Sequence, residues 1–332
     1  MRPHQSSTPF SPHPWLTNPH VQTLVPRYRR RNHLLTQVPV EERLFQVDPQ
    51  SRIKGMCSWQ HMRGEAPALI VVHGLEGCHD SHYMRGLAHK AWHAGFNVVR
   101  FNQRNCADTE HLTPTLYNAG LSQDLRAVSE ELVSKDGIQA IWMTGFSMGG
   151  NLVLKMAGEA KDEFPALRGV AAVCPNIHPA ACVAALEQRR NWVYHEHFMV
   201  KLKARLRRKA QLYPGKWDLS LYKHIRTMSQ FDDAYTAPDG GYRDAADYYD
   251  HAGARHVLAH IRVPTLIITS QDDPFIPIAS FDIPAIRANP CIQLITPAHG
   301  GHCGFIQPTQ KLEDGHWAEN RIIDFLEAGF SR

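Results

Sequence analysis

The stretch "MTGFSMGGN", residues 143–151, sets Ser147 between two glycines, each two positions away. The pattern G-x-S-x-G is short enough to arise by chance, so its surroundings carry the reading. Before it, "IQAIWMTG" (138–145) reads as a buried strand, and after it "NLVLKMAGEA" (151–160) reads as a helix. A serine on a strand-to-helix turn is where a nucleophile elbow occurs. Gly145 and Gly149 lack a Cβ, which lets strand and helix approach closely. The helix N-terminus then aims backbone N–H groups at negative charge developing near the hydroxyl. The competing reading is a plain glycine turn, and the rest of the chain decides between the two.

Working outward, apolar strand runs alternate with helical patterns. "ALIVVHG" (68–74), "FNVVRFN" (96–102), "GVAAVCP" (169–175), "VPTLIITS" (263–270) and "CIQLIT" (291–296) read as strands. Between them, "YMRGLAHKAWHAG" (83–95) and "LSQDLRAVSEELVSKDG" (121–137) read as helices. In the second, Leu121, Leu125, Val128 and Leu132 fall at helical spacing and Gly137 is a stop. Continuous rather than alternating apolar strands predict a mainly parallel sheet covered on both faces, with its site at the carboxyl ends of the strands. The segments around 42–59 predict an antiparallel pair at the sheet edge, and "WAENRIIDFLEAGF" a closing helix.

Residues 176–260 break this rhythm. The stretch is too long for a simple connection and predicts a helical lid inserted between two core halves, 41–175 and 261–332. Residues 1–40 are expected to form an extension packed on the core.

A serine hydroxyl needs a base, and on this kind of turn the partners follow in the order Ser, Asp or Glu, His. "SQDDPFIP" (270–277) and "HGGHCGF" (299–305) both follow strands, so their side chains reach the same sheet edge. His302, between Gly301 and Gly304, is the candidate base, with His299 as competitor. Asp273 ranks ahead of Asp272 because D-x-x-I-P, Asp273 to Pro277, has the spacing of an acid loop; Asp272 would then be a solvated neighbour or a loop cap. The oxyanion donors are expected at the backbone N–H groups of Met148 and of Leu75 in "HGLEG" (73–77).

Composition bounds the rest. Lys plus Arg exceeds Asp plus Glu only as 36 to 32, which does not suggest a nucleic-acid partner. The seven cysteines are odd in number and scattered, with no C-x-x-C pair. Together with an N-terminus that has no apolar signal segment, they imply reduced thiols and a cytoplasmic location. Chemistry on a serine and its base needs neither metal nor organic cofactor, and Cys78, His79 and His82, which fit no closed set of four ligands, read as loop residues. No stretch approaches the ~18 consecutive apolar residues of a membrane span.

With these residues in place the chain resembles an α/β-hydrolase, and more narrowly the YheT-type esterases, whose eukaryotic relatives include lipases. "NPHVQTL" (18–24), "HGLEG", "GFSMGGN", "DDPFIP", "HGGHCGF" and, inside the insertion, "FDDAYTAPDGGYRDAADYY" (231–249) carry the resemblance in order. It implies an α/β-hydrolase fold and ester hydrolysis. One turn departs from it: "QRNCADT" has Asn105 and Ala107 where glycines are common, although Asn tolerates a left-handed backbone.

The expected function is cleavage of carboxylic esters, of lipid or of shorter acyl chains, through an acyl-enzyme on Ser147, Asp273 and His302. An alcohol acyltransferase would use the same acyl-enzyme, and a non-catalytic ligand-binding hydrolase fold is a further alternative. The basic run 198–213 allows two readings. Met199, Leu202, Leu206 and Tyr213 share a face, so it is either a lid helix with a solvated charged face or a peripheral contact with an anionic membrane. Nothing in the sequence bears on oligomeric state.

Overall fold

A computed structural model describes residues 9–28, 31–311 and 313–330. Its framework is one eight-stranded sheet: β1 Glu41–Asp48, β2 Ser51–Ser58, β3 Ala68–Val72, β4 Asn97–Phe101, β5 Ile141–Phe146, β6 Leu167–Val173, β7 Thr265–Ile268 and β8 Ile292–Ile295. Its order is β1-β2-β4-β3-β5-β6-β7-β8. β2 runs antiparallel to β1 and β4, and every other pair is parallel. Strands β3, β4 and β5 are buried along their whole length, as apolar runs covered on both faces require.

The helices, in chain order, are α1 Pro19–Tyr28, α2 His82–His93, α3 Ser122–Asp136, α4 Met148–Ala160, α5 Pro179–Leu186, α6 Trp192–Leu212, α7 Met228–Phe231, α8 Ala237–Asp239, α9 Ala245–Ala252, α10 Pro284–Arg287 and α11 Trp317–Phe330. α2 packs with α11, and α3 with α4. α3 ends at Gly137, whose left-handed backbone (φ 71°) caps it. The chain leaves β3 toward β4 on one side and returns to β5 on the other, so the sheet switches direction beside β3. Crevices at such switch points lie at the strands' carboxyl ends.

Between β6 and β7 the described chain is helical, from α5 to α9, with a π-helical turn over Asp232–Thr236. The N-terminal segment is tied down by side chains. Phe10 packs edge-on against Phe305 and tilted against Trp317, with ring centroids 5.6 and 5.4 Å apart. Gln22, fully buried, exchanges two 2.9 Å hydrogen bonds with the backbone of Ile306. Arg31 holds Glu319 of α11 in a buried ion pair. No helix among the described residues is long and apolar enough to cross a membrane.

Candidate active site

Ser147 closes β5 and caps α4 with φ 54° and ψ −119°, a backbone conformation that costs a non-glycine residue on the order of 1–3 kcal/mol. The turn is held from outside, since Ser147 N–H donates to the Val173 carbonyl at 2.8 Å. It is also too tight for side chains. A Cβ on Gly145 would lie 2.1 Å from the Gly149 carbonyl oxygen, and one on Gly149 would lie 2.4 Å from that of Val72. The strand-to-helix turn expected from the sequence is thus present, strained at the serine and crowded at both glycines.

The loop after β3 faces this turn. Gly74 N–H donates to the Tyr83 hydroxyl and Glu76 N–H to that of Tyr117, both at 3.1 Å. Among the described residues the N–H groups of Leu75 and Met148 have no acceptor, and both residues line the cavity that also reaches Ser147. His73 is scaffold. Burial pushes its imidazole down to about 4, so it is neutral, and its Nε2 accepts the Gln103 N–H at 3.1 Å. That bond ties the loop after β3 to the loop after β4.

Asp273 and His302 meet across their two loops, with His302 Nδ1 2.8 Å from Asp273 Oδ2. The other oxygen of Asp273 accepts the N–H groups of Phe275 and Ile276 at 3.0 and 2.9 Å, which fixes the carboxylate plane. Asp272 turns away: it accepts the Gly301 N–H at 2.9 Å and pairs with exposed His299 at 3.3 Å. Burial alone would push the His302 imidazole down. The Asp273 charge and hydrogen bond, helped by the facing Cys174 thiol, outweigh it and raise the imidazole well above the usual histidine range. No hydrogen bond joins Ser147 Oγ to His302, whose ring is held by Asp273.

Two supports of this site carry no local sequence signal. His302 N–H donates to Thr23 Oγ1 at 2.9 Å, so α1 holds the histidine loop. A Cβ on Gly304 would lie 2.2 Å from the Gln22 carbonyl oxygen, so the glycine is what lets α1 approach. On the other side Arg205 of α6 grips Glu76, with Nη2–Oε2 at 2.8 Å and Nε–Oε1 at 3.1 Å. The Tyr117 hydroxyl adds a third bond to the Glu76 carboxylate at 2.8 Å.

The basic helix packs on the core, with Arg207 and Arg208 exposed, but its charged face is solvated only in part. Arg205 and Lys209 are buried rather than solvated. Lys209 donates to the Glu110 carbonyl at 2.9 Å, Arg208 pairs with Glu110 at 2.7 Å, and Arg207 lies 4.6 Å over the Tyr222 ring. The charges on α6 mostly bind the insertion to the core. In the departing turn Asn105 and Ala107 both adopt left-handed backbone, at φ 64° and 58°.

Ser147 opens on a cavity of about 740 Å³ counting its mouth. Val183 and Leu186 of α5, Phe198 and Leu202 of α6, and Met228 give it apolar walls. One corner is polar. There Tyr249 donates to Asp232 at 2.8 Å, and burial pushes the Asp232 carboxyl up to about 6. Both residues sit in the segment that the sequence offered only as a resemblance.

The profile described as "alpha/beta hydrolase fold" matches residues 67–309. The chain belongs to the α/β-hydrolase fold family. Within the family it is 32% identical over 97% of its length to Escherichia coli YheT, provisionally named an esterase, and covers 94% of that protein. It is 28% identical over 73% of its length to mouse phospholipase ABHD3 but spans only 59% of that longer protein. Among solved structures, the Pyrococcus furiosus esterase Pf2001 superimposes with a TM-score of 0.59 at 16% identity, over 90% of this chain and 96% of that one. That likeness is one of fold.

Proposed function

We propose that the protein is a serine esterase that hydrolyses carboxylic esters with an apolar acyl chain. Its strained Ser147, at the mouth of an apolar cavity and on the same sheet edge as the His302–Asp273 pair, is the observation that carries this reading.

In the proposed mechanism Ser147 Oγ attacks the ester carbonyl while His302 Nε2 takes its proton. Asp273 keeps Nδ1 as the donor to its carboxylate and stabilises the imidazolium. The oxyanion is received by the unpaired N–H groups of Leu75 and Met148. His302 then returns its proton to the departing alcohol, and water activated by the same nitrogen releases the acid. α5 and α6 serve as a lid that walls the acyl chain from solvent. The names of YheT and ABHD3 support ester and lipid substrates respectively.

The test is a fluorophosphonate probe combined with p-nitrophenyl and glyceryl esters of graded chain length. Labelling confined to Ser147, with hydrolysis of the longer apolar chains, is expected. A folded protein that neither labels nor turns over any ester overturns the proposal.

A further inference from the structure

The proposed mechanism uses no sulfur, yet two cysteines stand against its base. Cys174 follows β6 in left-handed backbone (φ 45°), and Cys303 follows His302 in the same conformation (φ 58°). Cys303 N–H donates to Cys174 Sγ at 3.3 Å. The two sulfurs and a ring nitrogen of His302 all lie within 4.8 Å of one another. Since Nδ1 is engaged by Asp273, the nitrogen left to this cluster is Nε2.

Tetrahedral zinc, with bonds of about 2.3 Å to sulfur and about 2.0 Å to nitrogen, sets its ligands under ~4 Å apart. The cluster therefore needs to contract by at most about 1.3 Å. The Asp273–His302 bond also completes the carboxylate–histidine–metal arrangement that fixes a ligating imidazole.

We infer that Cys174, Cys303 and His302 Nε2 form an inhibitory site for a soft divalent cation such as Zn²⁺. Binding forms two metal–sulfur bonds and one metal–nitrogen bond, leaving the fourth position to solvent. Both thiol protons, and that of Nε2 where the ring is charged, pass to solvent. The captured nitrogen is the one proposed to accept the Ser147 proton, so hydrolysis stops. Ligation does not depend on the esterase reading; the inhibition rests on it.

Twenty-one histidines offer scattered weak sites, so the readout must be specific for sulfur. The purified full chain is titrated with Co²⁺, and the thiolate-to-cobalt absorption band is followed. In parallel, Zn²⁺ is titrated into an ester hydrolysis assay, each variant being compared with its own metal-free rate. The expected result is one cobalt per chain with a thiolate band, inhibition by Zn²⁺ and none by Mg²⁺. Cys303→Ser and Cys174→Ala should abolish the band and weaken Zn²⁺ inhibition more than about tenfold, and Cys291→Ser should keep both. Cys174 is fully buried, so should Cys174→Ala not fold by circular dichroism, half-buried Cys303 carries the test. A folded wild type with no thiolate band overturns the site and leaves the esterase reading standing. A band without loss of hydrolysis overturns the inhibition and the place of His302 among the ligands, while the metal-free rate leaves the esterase reading standing.

Discussion

Arg205 in the middle of α6 and Glu76 in the loop after β3 form a two-pronged ion pair, 2.8 and 3.1 Å, with both side chains buried. Glu76 has left-handed backbone (φ 56°) and follows Leu75 directly. The pair thus links the helical insertion to the loop carrying one proposed oxyanion donor. Removing one partner of a buried pair strands the other charge, at a cost of about 3–5 kcal/mol. Arg205→Met should lose about that much stability in urea unfolding, and kcat should fall more than KM rises. Arg205→Lys, which cannot supply the fork, should recover only part.

Ser147→Ala should leave the fold unchanged by circular dichroism and lower ester hydrolysis by at least about ten-thousand-fold. Fluorophosphonate labelling should vanish with it. Residual turnover near the wild-type level would move the nucleophile elsewhere.

The pH profile follows from the His302–Asp273 pair. The proposed base works only when neutral, and its partner raises it above the usual histidine range. The rate kcat/KM should therefore be low in acid and climb with pH through a midpoint above about 6.5, the unperturbed histidine value. Asp273→Asn removes the charge that raises it. That variant should show a midpoint shifted to lower pH and a rate reduced by roughly ten-thousand-fold. Asp272→Asn, which touches Gly301 and His299 instead, should leave the midpoint in place.

Thr23→Val deletes the acceptor for the His302 N–H. A hydrogen bond of this kind is worth about 1 kcal/mol, which corresponds to roughly fivefold in kcat if it acts through the position of the imidazole. The pH midpoint should stay where it is. An unchanged kcat would reduce α1 to packing alone.

Ala107 carries left-handed backbone in the turn after β4. That conformation costs a residue with a Cβ about 1–2 kcal/mol, part of which glycine's greater chain entropy takes back. Ala107→Gly should therefore stabilise the protein by about 1 kcal/mol in urea unfolding. Destabilisation would mean that the methyl group packs.

What was legible in the sequence was local. Strand runs, the strand–turn–helix around Ser147 and the loops carrying Asp273 and His302 each follow from periodicity and turn chemistry within a dozen residues; they gave a mainly parallel sheet, and the motif resemblance implied the α/β-hydrolase fold. Two adjacent carboxylates in one loop have nearly the same local signal, so only packing could turn Asp273 toward His302 and Asp272 toward Gly301. The remaining contacts join residues far apart in the chain: Thr23 with His302, Glu76 with Arg205, Cys174 with Cys303. The basic helix shows the reason most clearly. Its apolar face is written in a spacing of three and four residues, whereas the burial of Arg205 and Lys209 depends on acceptors 129 and 99 residues away. Periodicity and turn chemistry set the elements and which residue types stand at the sheet edge. The tertiary structure alone decided which polar groups meet, because a buried charge or N–H finds its partner in space and not along the chain.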